Sequence, residues 1–476
     1  MTCVGVLDIG KTNIKLSAVT RQGAVLETLS TGNSAQSGPP YKHPDLDGIE
    51  AWLLEALGPL VRRHDVGAIV ATCHGSAGIL VDDSGPVMPM IDYEQSPPEA
   101  VDAAYRAQAG PIEARGSPIL AGAAHLARQL LWVETEWPAA LSRARWFLGG
   151  PQFWAWRLCG VAATEVTYLG AQSHLWSIPE RRFSDIVKRR GWRGLLPEIQ
   201  PAWRRLGRLR RELSRRFDLP SEIEVLCGIH DSSANFYRYQ QAGLREIAVI
   251  STGTWIVGVT DAFAPGALAS SSGMTWNADV HGNPLTGMLT MGGRDFSVIA
   301  GASADKPVDA KILGKLVEQG TLALPSFSND DGPFTGSAGQ GRIVGPEPSD
   351  PGARRALALL YVSLLTDACL DMMGAAATTI LDGSFVKDPL YGALIAALRP
   401  GSRVLVNPDG AGTAAGAALL ADHETRSRPV EVRMQAPAPI RIAGLDKYRK
   451  EWRDLTPSTH TTARVSMGQT RSGTPT

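Results

Sequence analysis

The sequence predicts an α/β protein of two domains, each built on a mixed sheet with flanking helices, with a cleft between them. Three observations carry this expectation. A length of 476 residues exceeds what one ordinary core organises. A strand, a polar turn and a returning strand occur at 4–19 and again at 246–260, which reads as an internal duplication. The opening order is β-β-β-α-β, not the regular β-α-β of a dinucleotide fold.

The first hairpin is Val4-Gly5-Val6-Leu7-Asp8-Ile9-Gly10-Lys11-Thr12-Asn13-Ile14-Lys15-Leu16. Apolar residues alternate up to Asp8 and again from Ile14, so the polar stretch between them is a tight turn. Backbone N–H groups and hydroxyls in such a turn can hold phosphate oxygens, and an acid beside them can hold a hydrated magnesium. Gly5 to Thr12 also satisfies the P-loop expression G-x-x-x-x-G-K-T. That motif needs a helix after Thr12, whereas residues 13 to 20 have strand patterning. A P-loop NTPase is therefore a separate reading, decided by whether 13 to 20 is strand or helix.

Composition narrows the class. Hydrophobic residues make up 44% and charged residues 20%, the proportions of a folded globular chain. Formal net charge is zero, so nothing global favours nucleic acid or an anionic membrane. No apolar run has spanning length and the N-terminus enters a strand at once, so neither a membrane span nor a signal peptide is expected. Cys3, Cys73, Cys159, Cys227 and Cys369 are scattered without a C-x-x-C, which suits a reducing cytoplasm and argues against a zinc cluster.

Further along, Ala24–Leu29 reads as a third strand, 48–64 as an amphipathic helix and 66–73 as a buried strand ending at His74-Gly75-Ser76-Ala77-Gly78. Ile79-Leu80-Val81, a turn at 82–85 and the stretch 86–94 read as the next hairpin. Helical patterns dominate 99–216. Residues 151–176 are aromatic-rich, and the basic run 181–216 reads as a solvated face because acids are interspersed. A strand at 223–227 leads into Gly228-Ile229-His230-Asp231-Ser232. A domain boundary is expected near 235–245, dividing 1–238 from 239–428.

In the second half, Ser251-Thr252-Gly253-Thr254 is the turn of the repeated hairpin. Asp350-Pro351 opens a long helix, expected to reach about Thr379, and Asp388-Pro389 opens another. A strand at 403–406 precedes a loop and a small-residue helix from Thr413. Residues 429–476 lose pattern, apart from an amphipathic piece at 445–452, and are expected to be partly disordered.

The turns at 8–15, 74–78, 228–232, 251–254, and 381–384 with 407–412 form an ordered set. This set resembles the FGGY family of carbohydrate kinases, on the duplicated ribonuclease H-like fold shared with actin, heat-shock 70 and hexokinase. The resemblance covers roughly residues 3–425. Ser251-Thr252-Gly253-Thr254-Trp255 is close to the S-S-G-T-W of rhamnulokinase-like and deoxyketose kinases, and His230-Asp231-Ser232-Ser233-Ala234 to their H-D-T-A-S.

The resemblance implies ATP with Mg2+, and a role for each matched position. Asp8 would reach the metal. Thr12, Asn13 and Lys15 would form the first phosphate loop, and Thr252, Gly253 and Thr254 the second. Gly383 and Ser384 would lie near the adenosine, with Gly412 in a second adenosine element. Asp231 would be the catalytic base. His74, Gly75, Tyr93, Trp154 and His230 would line the sugar site.

Each position also has a plainer reading. Asp231 can be a helix cap, Thr252 and Thr254 strand residues, His74 a buried histidine, Tyr93 and Trp154 core. Lys11, Asp382 and Asp92-Tyr93-Glu94 depart from the family pattern, which leaves the sugar open among L-rhamnulose, L-fuculose and pentuloses. The implied activity is phosphorylation of a ketose or deoxyketose, with a small-molecule sugar as partner and a homodimer left open. A non-catalytic sugar- or nucleotide-responsive protein on the same fold is the alternative.

Overall fold

A computed structural model describes residues 2–262, 273–304, 308–348, 350–374 and 376–457. The first sheet contains β1 (Cys3–Ile9), β2 (Asn13–Val19), β3 (Val25–Gly32), β4 (Val66–Cys73), β5 (Arg205–Arg208), β6 (Glu224–Leu226) and β7 (Ile229–His230), with helix α1 (Leu46–Arg63) between β3 and β4. Its order is β5-β6-β4-β1-β2-β3, and β7 also pairs with β4. The β1–β2 hairpin is antiparallel, with Asp8 opposite Lys15, whereas β1 and β4 run parallel. Residues 13–19 are strand, so the P-loop reading falls: its helix is absent from where the motif requires it.

Helix α2 (Asp231–Gln241) leads into the second sheet. That sheet contains β8 (Ile247–Thr252), β9 (Ile256–Thr260), β10 (Met274–Ala278), β11 (Pro284–Thr290), β12 (Thr378–Gly383) and β13 (Arg403–Val406), in the order β10-β11-β9-β8-β12-β13. Its β8–β9 hairpin is antiparallel and its β8–β12 and β12–β13 pairs are parallel. This repeats the pattern of the first sheet, as the recurring hairpin predicts. The helices α3 (Gly292–Ala300), α4 (Pro351–Met372), α5 (Pro389–Leu398), α6 (Gly412–Leu419) and α7 (Leu445–Leu455) complete this half. Asp350 and Asp388 cap α4 and α5 through their side chains, each followed by Pro at the first turn.

Several expected elements differ. α4 ends at Met372, not Thr379, because Gly374 takes a left-handed conformation (φ 81°) that stops the helix, and 378–383 is strand. Residues 86–94 are not a strand. Pro86 makes a single bridge to Val81, and Gly78–Val81 pairs instead with Trp146–Gly149. Pro86 and Pro89 have no N–H to give a ladder. The division at 238/239 falls inside α2.

Residues 429–457 are ordered against the second half, with α7 burying Leu445, Tyr448 and Trp452. Tyr448 Oη donates to the Thr321 carbonyl at 2.5 Å and Trp452 Nε1 to the Ala323 carbonyl at 2.7 Å. The disorder expected in the last stretch concerns 458–476, which lie outside the described residues.

Helices α2 and α6 occupy equivalent places in the two halves and cross directly. A Cβ at Gly416 would collide with the Ala234 carbonyl, and one at Gly412 with the side chains of Asn235 and Asp382. Ala417, Ala418 and Leu419 of α6 pack under the first sheet with Val4, Val6, Val70 and Ile229. The two halves thus share this apolar layer, and the polar turns at their strand ends face one cleft.

Candidate active site

The cleft has a volume of about 810 Å³ and is lined from both halves. From the first come Asp8, Thr12, Asn13, Lys15, His74, Gly75, Tyr93, His230 and Asp231, and from the second Thr252, Gly253 and Thr254. Most residues singled out in the sequence therefore meet in one place. The β1–β2 turn is held by Gly10 N–H on the Asn13 carbonyl at 3.0 Å and by Asn33 Nδ2 on the Gly10 carbonyl at 2.7 Å. Gly10 is needed there, since a Cβ would stand 2.9 Å from the Asn13 oxygen. Thr12, Asn13 and Lys15 project from this braced turn and are exposed. The Lys15 ammonium has no hydrogen-bond or ion-pair partner among the described residues.

Asp8 and Asp231 come from different strand ends and face the same volume. Burial pushes the Asp8 carboxyl up to about 6; Asp231 adds to the rise and Lys15 opposes it. Asp231 is the first residue of α2, and the side chain is 31% exposed, into the cleft. The carboxylate accepts the Ser232 N–H at 2.6 Å and lies 3.1 Å from His230 Nε2. Removal from bulk water raises Asp231 to about 6 against those hydrogen bonds. Burial pushes His230 down to about 3, so its ring is neutral. Its Nδ1 lies 3.3 Å from Ser233 Oγ, whose one proton can go to Nδ1 or to the Ala278 carbonyl at 3.2 Å; placed on Nδ1, it leaves an Nε2–H for Asp231. The backbone is fixed as well: His230 N–H donates to Thr167 Oγ1 at 3.1 Å, and Thr167 Oγ1 donates to the buried Glu165 at 2.6 Å.

At the second turn, Thr252 is buried and fully engaged. Its Oγ1 donates to the Asp382 carbonyl at 2.8 Å and accepts the Phe385 N–H at 3.0 Å, and its own carbonyl accepts the Ser384 N–H at 2.6 Å. Gly383 (φ 93°) is required in this contact, because a Cβ would run into the Thr252 backbone. Thr254 stays exposed. Gly383, Ser384 and Gly412 support the cleft wall without lining the cavity, whereas Thr413, next to Gly412, does line it.

The departures in sequence have structural explanations. Lys11 is bound by Asp92 and sits 4.7 Å over the Tyr93 ring, which spends its charge within the first half. Asp382 is buried, with Oδ2 accepting from Tyr239 Oη at 2.8 Å and Asn407 Nδ2 at 3.0 Å. It therefore ties β12 to α2 and does not project toward a nucleotide.

Tyr93 Oη accepts from Trp255 Nε1 at 3.3 Å across the cleft, and His74 meets the Tyr93 ring edge-on at 5.2 Å. Burial, with Lys11 nearby, holds His74 down at about 4. Trp154 is a correction. It is 2% exposed in the helix Gly150–Cys159, edge-on to Phe153 within the core, and has no face on the cavity. Aromatic content alone does not tell which face of a helix is buried. Gln172, Arg294, Asp330 and Thr413 line the cavity without having been singled out. Arg294 and Thr413 each directly follow a glycine turn in sequence, a signal that could mark them, whereas Gln172 and Asp330 have no adjacent glycine.

The sequence matches the N-terminal domain of the FGGY family of carbohydrate kinases over residues 3–236 and the carbohydrate kinase FGGY C-terminal domain over 245–429. The chain belongs to the FGGY family of carbohydrate kinases.

Within this family, the chain is 29% identical to an L-fuculokinase of Salmonella typhi over 260 residues, and 29% identical to that of Escherichia coli (strain K12) over 261 residues. Each match covers 52% of this chain and 54% of the relative, so the similarity spans about half the length of those curated relatives. A carbohydrate kinase structure from Novosphingobium aromaticivorans is 30% identical, with a TM-score of 0.81, 95% of this chain covered and 98% of the other. A ligand-bound xylulose kinase from Lactobacillus acidophilus (14% identical, TM-score 0.78, 95% and 96% covered) shares the FGGY kinase fold. Among the described residues no helix is long and apolar enough to cross a membrane.

Proposed function

We propose that the protein transfers the γ-phosphoryl group of ATP to a hydroxyl of a ketose or deoxyketose, with L-fuculose, L-rhamnulose or a pentulose as the acceptor. The observation that carries this reading is the meeting of Asp231, Asp8 and the two polar hairpin turns in one cleft. The L-fuculokinase relatives support a six-carbon deoxyketose within that class.

Asp231 takes the proton from the sugar hydroxyl as the hydroxyl oxygen bonds to phosphorus and the bond to the ADP oxygen breaks. His230 donates to the carboxylate and holds it toward the acceptor. Lys15, Thr12, Asn13 and the Gly253–Thr254 turn orient the phosphates, and Lys15 neutralises charge. Glu165, through Thr167 and the His230 amide, fixes the start of α2 and hence the base.

The donor set suits magnesium. Asp8 and Asp231 are carboxylates sharing one volume, and Mg2+ is ordinarily held by one or two carboxylates, waters and substrate phosphates. Asp8 would hold the ion, which when bound offsets charge on the phosphates. Purified protein incubated with MgATP and a panel of ketoses and polyols, with ADP release as readout, tests this. Sugar-dependent ADP release that disappears in Asp231→Asn is expected. Failure to release ADP with every sugar would overturn it.

A further inference from the structure

Among the polar side chains lining the cavity that nothing above uses, Gln172 is held in place by a buried cluster of its own. Gln172 lines the cleft beside Leu120, Ala121 and Gly122. Its side-chain amide has no hydrogen-bond partner among the described residues. Its backbone is left-handed (φ 53°), as is that of His174 (φ 59°). Non-glycine residues adopt this conformation at a cost, and surrounding structure must enforce it.

Here the enforcement is specific. His125 is buried between the two segments of the wall. Its Nδ1–H donates to the Gln172 carbonyl at 2.7 Å, and its Nε2 accepts the Leu120 N–H at 2.8 Å. Both nitrogens are committed, and burial, with Arg128 nearby, holds the ring neutral, pushed down to about 3. The ring stacks on His174 at 3.7 Å, and His174 is in turn bonded through Nε2 to Ser117 Oγ at 2.7 Å. Arg128 donates to the Leu120 carbonyl at 2.9 Å, and the Ala127 N–H to the Ser173 carbonyl at 3.0 Å. A rigid stack of buried polar groups thus holds an unpaired amide in the cavity. An amide with one donor side and one acceptor side matches a sugar hydroxyl, which is also both.

We propose that Gln172 binds a hydroxyl of the acceptor sugar and sets part of its selectivity, with His125 as the residue that positions it. The proposal rests on the reading of the cleft as a sugar kinase site. An amide–hydroxyl bond made in both the ground and transition states affects sugar binding more than the chemical step.

The test uses Gln172→Gly and Gln172→Asn in the full chain. Gly takes the left-handed backbone freely, and Asn tolerates it while drawing the amide back by one methylene. Both keep the carbonyl that His125 grips. Each should retain the thermal midpoint, raise KM for the best sugar about tenfold, and leave kcat and KM for ATP within about twofold. Deoxy analogues, each lacking one hydroxyl, should reveal one analogue that wild type uses poorly and that both variants use as well as the parent sugar. Unchanged KM for the sugar, or unchanged discrimination across the analogues, would overturn the assignment while the kinase reading stands. A wild-type protein that phosphorylates no sugar would overturn both.

Discussion

The hydroxyl of Thr252 bridges two strand ends, donating to the Asp382 carbonyl at 2.8 Å while accepting the Phe385 N–H at 3.0 Å. The turn at 251–254 and the turn at 383–385 therefore form one unit. Thr252→Val keeps the shape and leaves a buried carbonyl and amide unpaired. A loss of about 2 kcal/mol or more is expected, together with a raised KM for ATP. Thr254→Val, at an exposed position on the same turn, should raise KM for ATP without moving the thermal midpoint. Unfolding curves and steady-state kinetics of the two variants separate bracing from contact.

Asp231→Asn should lower kcat by about two to four orders of magnitude, the range for loss of a general base. Asn cannot take the proton, yet it still accepts the Ser232 amide. The stability effect has the opposite sign to an ordinary loss. The folded-state value of about 6 lies above the 3.8 of an ordinary aspartate, so the folded protein holds extra protons between them. Stability from this group is present below the lower value and declines as pH rises toward about 6. At pH values above this window the ionised carboxylate is a cost that Asn removes. The variant should unfold at or above the wild-type temperature at neutral pH and lose that advantage on acidification. A marked fall in Tm at neutral pH would contradict this.

The same titration sets a pH profile. A base with a value of about 6 gives a kcat/KM that is flat at neutral pH and falls about tenfold per pH unit below about 6. Asp8, also at about 6, is separated by metal dependence. Asp8→Asn should raise the Mg2+ concentration for half-maximal rate by about tenfold or more, an effect that titration of Mg2+ at fixed ATP measures directly.

Gly416→Ala places a methyl against the Ala234 carbonyl. With backbone on both sides there is no rotamer to yield, and a destabilisation of about 1–3 kcal/mol is expected. Gly412→Ala meets Asn235 and Asp382 and should behave alike. Any large substitution at Gly412 would therefore report on the α2–α6 contact before it reported on ATP. Denaturant titration checks both.

Deleting the chain from residue 445 onward removes α7 and with it two of the three arginines around the fully buried Asp367. Arg449 Nε and Arg453 Nη2 reach Asp367 Oδ2 at 2.6 and 2.5 Å, and Arg399 Nη1 reaches Oδ1 at 3.0 Å. Removing partners of a buried charge costs about 3–5 kcal/mol, and the Trp452 site opens as well. A truncated protein that unfolds at the full-length temperature would refute the structural role of α7.

Much of this was legible before any coordinates. Alternation around Asp8 and Thr252 marks both hairpins, because side chains along a strand alternate faces every second residue. Asp350-Pro351 and Asp388-Pro389 mark helix starts, because cap chemistry is local. What was hidden depends on distant partners. Trp154 reads as a ligand platform until its burying face is known. Gln172 carries no signal, because its left-handed backbone is imposed by His125, 47 positions away. Thr252 and Asp382 look like ligand contacts in sequence and are joints in space. The end of α4 at Met372 is set by the left-handed Gly374, a single residue that the run of helix formers before it masks in sequence.

The crossing of α2 and α6 has a consequence for movement. One helix begins at the proposed base, the other beside Thr413 on the second-half side of the cavity; at Gly416 they touch main chain to main chain, while at Gly412 the neighbours are the Asn235 and Asp382 side chains. At Gly416 the bearing has no teeth. Any turning of one half on the other there is limited by the side chains around it, Asn235 and Asp382 at Gly412, Trp203 with Glu424, and Tyr93 with Trp255 at the cleft. The spacing of the two helices, set at Gly416 by main-chain contact, has no play in it, so any movement between the halves turns about this point and does not widen it.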